Sequence, residues 1–221
     1  MTPWAAVPAP EPRPVVAAFD VDGTLTTRDC VVPFLRRVAG TSALTIGLGR
    51  DAARVAPALA RRDRNALKAQ AARIAFTGRP YADVEESGRE FAAYVQHACL
   101  RPDVLDRLSW HRSAGHHTVL VSASFGVYLR PLAEALGIDG VVATELTVED
   151  GRCTGALTGG NCRGIEKVVR LHAYLDERFG GREAVELWAY GDSPGDRELL
   201  ADADHAVWAE RHLTAAPEGA T

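Results

Sequence analysis

Short apolar runs, separated by stretches of helical periodicity, make up most of this 221-residue chain. Runs of this length that are rich in β-branched residues are typical of strands buried on both faces of a parallel sheet. The runs cover residues 15–19, 117–121, 141–144, 185–190 and 205–209. Strands that alternate with helices in this way predict an α/β fold with a parallel sheet.

A long helical block separates the first run from the second. It spans roughly 80 residues by its periodicity, with breaks at Gly40 and at residues 77–80. Helices inserted at this point are typical of a cap that excludes water from a reacting centre. Residues 43–60 are predicted to form one unusually apolar helix that Thr41 or Ser42 caps. This helix either packs on its neighbours in the cap or presents an apolar surface to an apolar substrate or a membrane.

The later segments continue the alternation of helices and strands. Helices are predicted over residues 104–113 and 166–179, where apolar positions recur at helical spacing. Residues 146–155 resemble a hairpin, with its turn at Asp150-Gly151.

Carboxylates follow two of the predicted strands. Asp20 and Asp22 come directly after the first run, and Asp192 follows the fourth. Neighbouring carboxylates repel one another unless a proton or a cation lies between them. Because the carboxyl ends of parallel strands share one sheet edge, these groups form an all-oxygen site for Mg²⁺ if the two strands are neighbours.

Two further segments suggest a phosphate site. Ser122-Ala123-Ser124 follows the second run, where a hydroxyl and free N–H groups suit a phosphate oxygen, although Ser124 could equally be a plain helix N-cap. Lys167 falls in the first turn of a predicted helix. A lysine there is disfavoured by the helix dipole, so a nearby anion is expected. Arg163 is a weaker candidate for the same role.

Composition narrows the class of protein. The formal net charge of −4 gives no electrostatic footprint for nucleic acid, and no apolar stretch is long enough for an integral membrane segment. The four cysteines are scattered, which predicts free thiols in a reducing cytoplasm. Residues 1–14 are predicted to be a disordered lead-in and residues 214–221 a frayed tail. Oligomeric state has no signal in the sequence.

Together these residues resemble the motifs of haloacid dehalogenase (HAD) superfamily phosphatases, in the subgroup that includes phosphoserine phosphatase. The resemblance covers about residues 15–210. Its four motifs stand in order as Asp20-Val21-Asp22-Gly23-Thr24, Ser122, Lys167 and Gly191-Asp192-Ser193-Pro194-Gly195-Asp196.

The resemblance implies a Rossmann-like core over residues 15–27 and 106–213, with an all-helical C1-type cap over residues 28–105. It implies a Mg²⁺-dependent phosphatase with Asp20 as nucleophile and Asp22 as general acid and base. The other implied roles are Asp20, Asp192 and the Asp22 backbone carbonyl as metal ligands, Ser122, Ala123 and Lys167 as phosphate ligands, and Thr24, Ser193 and Asp196 as supporting residues.

The implied substrate is a small phosphorylated metabolite, with Asp29 and Arg163 as possible contacts. Phosphoserine phosphatases usually have Ser where Gly23 stands and Glu where Asp29 stands. Residues 161–167 resemble a neighbouring branch that includes phosphatidylglycerophosphate phosphatases. A lipid phosphatase and a catalytically silent phospho-ligand-binding protein therefore remain as alternatives.

Overall fold

A computed structural model describes residues 12–209 and 213 of the chain. The remaining parts of the predicted lead-in and the predicted tail lie outside the described residues. The sheet has six strands in the order β4-β3-β2-β1-β5-β6, and every neighbouring pair is parallel except β3 and β4. The strands are β1 (Val15–Phe19), β2 (His117–Phe125), β3 (Gly140–Glu149), β4 (Arg152–Thr158), β5 (Glu186–Gly191) and β6 (His205–Trp208). The predicted α/β fold is confirmed.

Helices fill the intervals between the strands. They are α1 (Val31–Ala39), α2 (Thr41–Arg50), α3 (Ala52–Ala60), α4 (Arg64–Phe76), α5 (Tyr81–Ala98), α6 (Pro102–Ser113), α7 (Gly126–Leu136), α8 (Ile165–Phe179) and α9 (Arg197–Asp202). Helices α1 to α5 occupy the interval that the sequence predicts to be the cap. No helix in the described ranges is both long enough and apolar enough to span a bilayer.

Strand β1 explains why the strand runs are continuously apolar. Ala17 and Phe19 pack in one hydrophobic layer, while Val16 and Ala18 pack in the layer on the opposite side. All four are fully buried. Since helices cover both faces of the sheet, neither set of alternating positions can be polar.

Aromatic side chains join the helical block to the sheet. The ring centroid of Phe34 in α1 lies 4.8 Å from that of Tyr128 in α7 and 6.0 Å from that of Phe125 in β2. The ring of Phe91 in α5 also packs on the ring of Phe34, with the two centroids 5.3 Å apart. Each buried aromatic pair of this kind stabilises the fold by about 0.5–1.5 kcal/mol beyond its buried area. These contacts place the helical block against the strand ends that carry the polar residues.

The prediction of one helix over residues 43–60 is wrong, because the chain breaks at Asp51 into α2 and α3. The Asp51 carboxylate accepts hydrogen bonds from Gln70 and Arg73 of α4, which holds the break in place. Neither predicted cap forms, since Gly40 precedes α2 and no side chain caps it.

The apolar character of α2 and α3 is only partly explained by packing. Leu44 and Ala58 are their buried hydrophobic residues. Ile46 is 55% exposed and Leu59 is 64% exposed. The segment therefore packs on α4 by one side and leaves apolar side chains on the surface.

Candidate active site

Strands β1 and β5 are neighbours, and this brings the predicted acidic residues together. Phe19 pairs with Tyr190, and the Asp20 N–H donates to the Tyr190 carbonyl at 2.9 Å. Asp20, Asp192 and Asp196 each offer a carboxylate oxygen within 4.8 Å of the others. Such a cluster of buried or half-buried carboxylates needs a proton or a cation to offset its charge.

Lys167 supplies one such cation. Its ammonium lies 2.5 Å from Oδ1 of Asp20 and 2.5 Å from Oδ1 of Asp196, and the residue is 1% exposed. Burial alone would lower the pKa of Lys167, but the two carboxylates outweigh it and raise the pKa. Burial raises the pKa of Asp20 to about 7, although Lys167 opposes this. The anion expected near a first-turn lysine is therefore this pair of carboxylates.

Asp22 has its own set of partners. Oδ1 accepts the Cys30 N–H at 2.7 Å, and Oδ2 accepts the Ser124 hydroxyl. The Tyr128 hydroxyl in turn donates to Ser124 Oγ at 2.5 Å. Burial raises the pKa of Asp22 to about 6, against the lowering effect of the Ser124 hydrogen bond. A carboxyl group that titrates near neutral pH can both donate and accept a proton.

Ser124 does not cap a helix. Strand β2 continues through Phe125, and α7 begins at Gly126 with no side-chain cap. The hydroxyl of Ser124 is directed to Asp22 instead. Ser122 is buried and accepts the Ser124 N–H at 3.1 Å, while the Ala123 carbonyl accepts the Thr144 hydroxyl at 2.8 Å. The second predicted segment thus lies at the same sheet edge as Asp22.

Gly23 and Thr24 hold Asp192 closely. The Thr24 hydroxyl donates to Asp192 Oδ1 at 3.0 Å. Gly23 has a φ of 93°, and a Cβ at this position would overlap the Asp192 carboxylate. Only glycine allows this approach, because a side chain would be both strained and obstructed. Partial burial raises the pKa of Asp192, although the hydrogen bond from Thr24 opposes this.

Asp196 is already committed to protein partners. Oδ1 is bonded to Lys167, and Oδ2 accepts the Ser193 N–H at 3.0 Å and the Ser193 hydroxyl at 2.7 Å. Ser193 and Asp196 form a capping box that shapes the turn after β5. Asp20 and Asp192 are therefore the better carboxylate donors for a metal, and the Asp22 carbonyl oxygen stays a predicted third ligand. Their all-oxygen character and the room that Gly23 leaves fit a hard cation such as Mg²⁺.

The two possible substrate contacts each have local partners. Asp29 is exposed and accepts the Val32 N–H at 3.1 Å at the start of α1. Arg163 is half-buried against the turn after β5, where a Cβ on Gly195 would lie 2.9 Å from its Nε. Their contact with substrate stays a prediction.

Two basic residues of the site have no counterpart in the sequence predictions. Arg101 donates to the Gly23 carbonyl at 2.9 Å and to the Ala209 carbonyl at 2.5 Å, and so supports the loop after β1. Lys68 of α4 reaches the end of β2 and bonds to the Ala123 carbonyl. Neither has a local signal, since the partners of Arg101 lie 78 and 108 positions away in the chain and the Ala123 partner of Lys68 lies 55 positions away.

This fold and site define an α/β protein with a cluster of carboxylates at the edge of a mostly parallel sheet. The family model for haloacid dehalogenase-like hydrolases matches residues 17–201. The chain belongs to this family, as its motifs predict.

Individual relatives extend the comparison. The Caulobacter vibrioides protein CicA is 38% identical over 193 residues, which is 87% of this chain and 84% of that protein. A protein of unknown function from Bordetella pertussis Tohama I has a similar structure, with a TM-score of 0.70, 27% identity and coverage of 86% of each chain. A phosphoserine phosphatase in its apo form shares the fold, with a TM-score of 0.56 at 16% identity over 86% of this chain and 84% of that one. The predicted resemblance to the phosphoserine phosphatase fold is confirmed.

Proposed function

We propose that this HAD-type phosphatase is a Mg²⁺-dependent phosphomonoesterase that forms an aspartyl-phosphate on Asp20. The observation that carries the proposal is the pair of differently held carboxyl groups at the end of β1. The Asp20 carboxylate is bonded to the Lys167 ammonium at 2.5 Å, which favours its ionised form, whereas Asp22 is bonded to neutral donors. Such a division suits one group to nucleophilic attack and the other to proton transfer.

The reaction would run in two steps that use the same residues. In the first step a carboxylate oxygen of Asp20 forms a bond to phosphorus, the bond to the ester oxygen breaks, and Asp22 gives its proton to the leaving oxygen. In the second step Asp22 takes a proton from water as the water oxygen attacks phosphorus. The bond to Asp20 then breaks, which releases inorganic phosphate and restores both carboxyl groups.

The remaining site residues would hold the phosphoryl group. Lys167 lies against Asp20, and the Ser122 hydroxyl and the Ala123 N–H come from the adjacent end of β2. Mg²⁺, held by Asp20, Asp192 and the Asp22 carbonyl oxygen, would offset negative charge on the phosphoryl oxygens when bound. Asp196 positions Lys167, and Ser193 positions Asp196.

The substrate we propose is a small phosphorylated metabolite in a reducing cytoplasm. Helices α1, α2, α4 and α5 share a hydrophobic core with the sheet, and the four cysteines are buried and form no disulfide, in keeping with that compartment. A lipid phosphate is a second candidate, favoured by exposed Ile46 and Leu59 beside exposed arginines of α2 and α3. Phosphate release from phosphatidylglycerophosphate in vesicles, compared with release from water-soluble esters, distinguishes the two.

The proposal is tested with phenyl phosphate as a generic substrate. The wild-type protein should release inorganic phosphate with Mg²⁺ and lose this activity in excess EDTA. Asp20→Asn should abolish turnover, whereas Asp83→Asn, which changes an exposed carboxylate in α5, should not. Full activity of Asp20→Asn would contradict the mechanism. An absence of metal-dependent release by the wild-type protein would support the silent binding protein instead.

A further inference from the structure

Lys68 connects the helical block to the sheet beside the proposed phosphate site. It lies in α4, and its ammonium bonds to the Asn161 side-chain oxygen at 2.8 Å, to the Thr144 hydroxyl at 3.1 Å and to the Ala123 carbonyl. These acceptors belong to the loop before α8, to β3 and to β2. One side chain of the cap therefore touches three segments of the core.

The hydrogen bonds of Lys68 are complete, but its charge is not balanced. An ammonium has three protons, and each has an acceptor here. All three acceptors are neutral, and the Phe125 ring lies 4.4 Å away as a fourth neighbour. Within the described part of the chain, no carboxylate forms an ion pair with Lys68. Lys167 differs, since it lies between two carboxylates.

Lys68 is half-buried, and a cation drawn partly out of water without a counter-ion is unfavourable unless an opposite charge approaches it. Burial lowers the pKa of Lys68 to about 7, which Asp22 opposes. The other charged or titratable groups that face it are Asp29, Cys162 and Arg170. An anion that approached Lys68 would replace one neutral acceptor and restore the balance of charge.

The position of Lys68 indicates which part of a substrate could supply this anion. Its partner Ala123 lies between Ser122, a proposed phosphate ligand, and Ser124, which bonds to Asp22. In the proposed reaction Asp22 protonates the leaving oxygen, so the leaving group lies on this side of phosphorus.

A cleft adjoins Asn161, one of the partners of Lys68. The cleft has a volume of about 700 Å³ and lies between α4 and β4, where Asn65 and Gln70 also line it. Asn161 donates to the Asn65 side-chain oxygen at 2.8 Å and is thereby held in place.

We infer that Lys68, with Asn161, binds a second anionic group carried by the leaving group of the substrate. The substrate class is then a phosphomonoester whose alcohol part bears a carboxylate or a second phosphate. This inference rests on the proposed function. It distinguishes such esters from neutral alcohol phosphates, which would leave the charge of Lys68 unbalanced.

A matched pair of ligands tests the inference. 3-Phosphoglycerate and glycerol 3-phosphate have the same carbon skeleton, and only the first carries a carboxylate. Both are measured as competitive inhibitors of phenyl phosphate turnover, so neither needs to be a substrate itself. The measured quantity is the Ki of glycerol 3-phosphate divided by the Ki of 3-phosphoglycerate. Any general effect of a substitution on the site cancels in this ratio.

The variants separate charge from packing. We expect the ratio to fall at least tenfold in Lys68→Met and in Lys68→Gln, and to be largely retained in Lys68→Arg. Arg64→Met, which removes an exposed cation one turn earlier in α4, should leave the ratio unchanged. In the wild-type protein the ratio should also fall as pH rises above 7, because the free amine cannot attract a carboxylate.

Two outcomes would overturn the inference. One is an equal loss of affinity for both ligands in the neutral variants, which would make Lys68 a structural link only. The other is a wild-type ratio near one that Lys68→Met does not change. Neither result affects the metal-dependent, Asp20-dependent turnover of phenyl phosphate, so failure of the inference is distinguishable from failure of the proposed function.

Discussion

Replacement of Lys167 by methionine removes the cation that holds two buried carboxylates together. Lys167 is 1% exposed, and its ammonium lies 2.5 Å from both Asp20 and Asp196. Loss of one member of a buried ion pair typically destabilises a protein by about 3–5 kcal/mol, because the remaining charge is left uncompensated. We expect a loss of this size in the free energy of unfolding at pH 8. We also expect kcat on phenyl phosphate to fall by about 10²–10³, as for removal of other groups that stabilise transition-state charge.

The pH dependence of the unfolding free energy tests the effect of Lys167 on Asp20 more sharply. The pKa of Asp20 is raised from 3.8 to about 7 by burial, and without Lys167 it rises further. A carboxyl group whose folded pKa exceeds its unfolded pKa stabilises the fold at low pH and loses that contribution as pH rises through the folded pKa. The stability difference between Lys167→Met and wild type should therefore be larger at pH 8 than at pH 6.

Urea unfolding followed by circular dichroism, in EDTA at both pH values, measures this difference. Arg64→Met is the matched control, because it removes an exposed positive charge. A loss below about 1 kcal/mol at pH 8, within the range of an exposed pair, would refute the reasoning. So would a loss that shrinks as pH rises.

Three further predictions follow from individual contacts. Gly23→Ser should destabilise the protein by about 2–4 kcal/mol, because the positive φ of this position and the Asp192 carboxylate both oppose a side chain. The substitution should also raise the Mg²⁺ concentration that gives half-maximal activity. Unchanged urea and Mg²⁺ titrations would contradict this prediction. Ser124→Ala removes a hydrogen bond that lowers the pKa of Asp22, so the alkaline fall of kcat/KM should move to higher pH; a move to lower pH would contradict the assignment of Asp22 as the acid. Lys68 has a folded pKa of about 7, below its unfolded 10.5, so the unfolded state binds more protons between these values. The urea stability of wild type relative to Lys68→Met should therefore rise from pH 7 to pH 10, and a falling difference would count against the buried charge.

The sheet and its acidic edge could be predicted from the sequence because their causes are local. Residues 15–19 are continuously apolar since both faces of β1 are covered. Asp20 and Asp192 each follow a strand directly, so their meeting required only that β1 and β5 be neighbours. Lys167 was recognisable because the first turn of a helix disfavours a lysine that has no nearby anion.

The contacts between the helical block and the sheet could not be predicted in this way. The Lys68 ammonium meets Asn161 across 93 positions of the chain, and Ser124 meets Asp22 across 102. Nothing in the neighbouring sequence distinguishes Lys68 from the other basic residues of α4. The break at Asp51 likewise depends on hydrogen bonds from α4, so periodicity alone extends the helix through it. These contacts arise only once the chain is packed, and the proposed substrate class rests on those of Lys68 among them.

Direct detection of a phosphoryl group on Asp20 tests the central claim. The protein is mixed with Mg²⁺ and a ³²P-labelled phosphomonoester, quenched in acid during turnover, digested and analysed by mass spectrometry. We predict acid-stable, hydroxylamine-sensitive label on the peptide that contains Asp20, and no label in Asp20→Asn. Label on another residue, or rapid phosphate release by Asp20→Asn without labelled protein, would contradict the account.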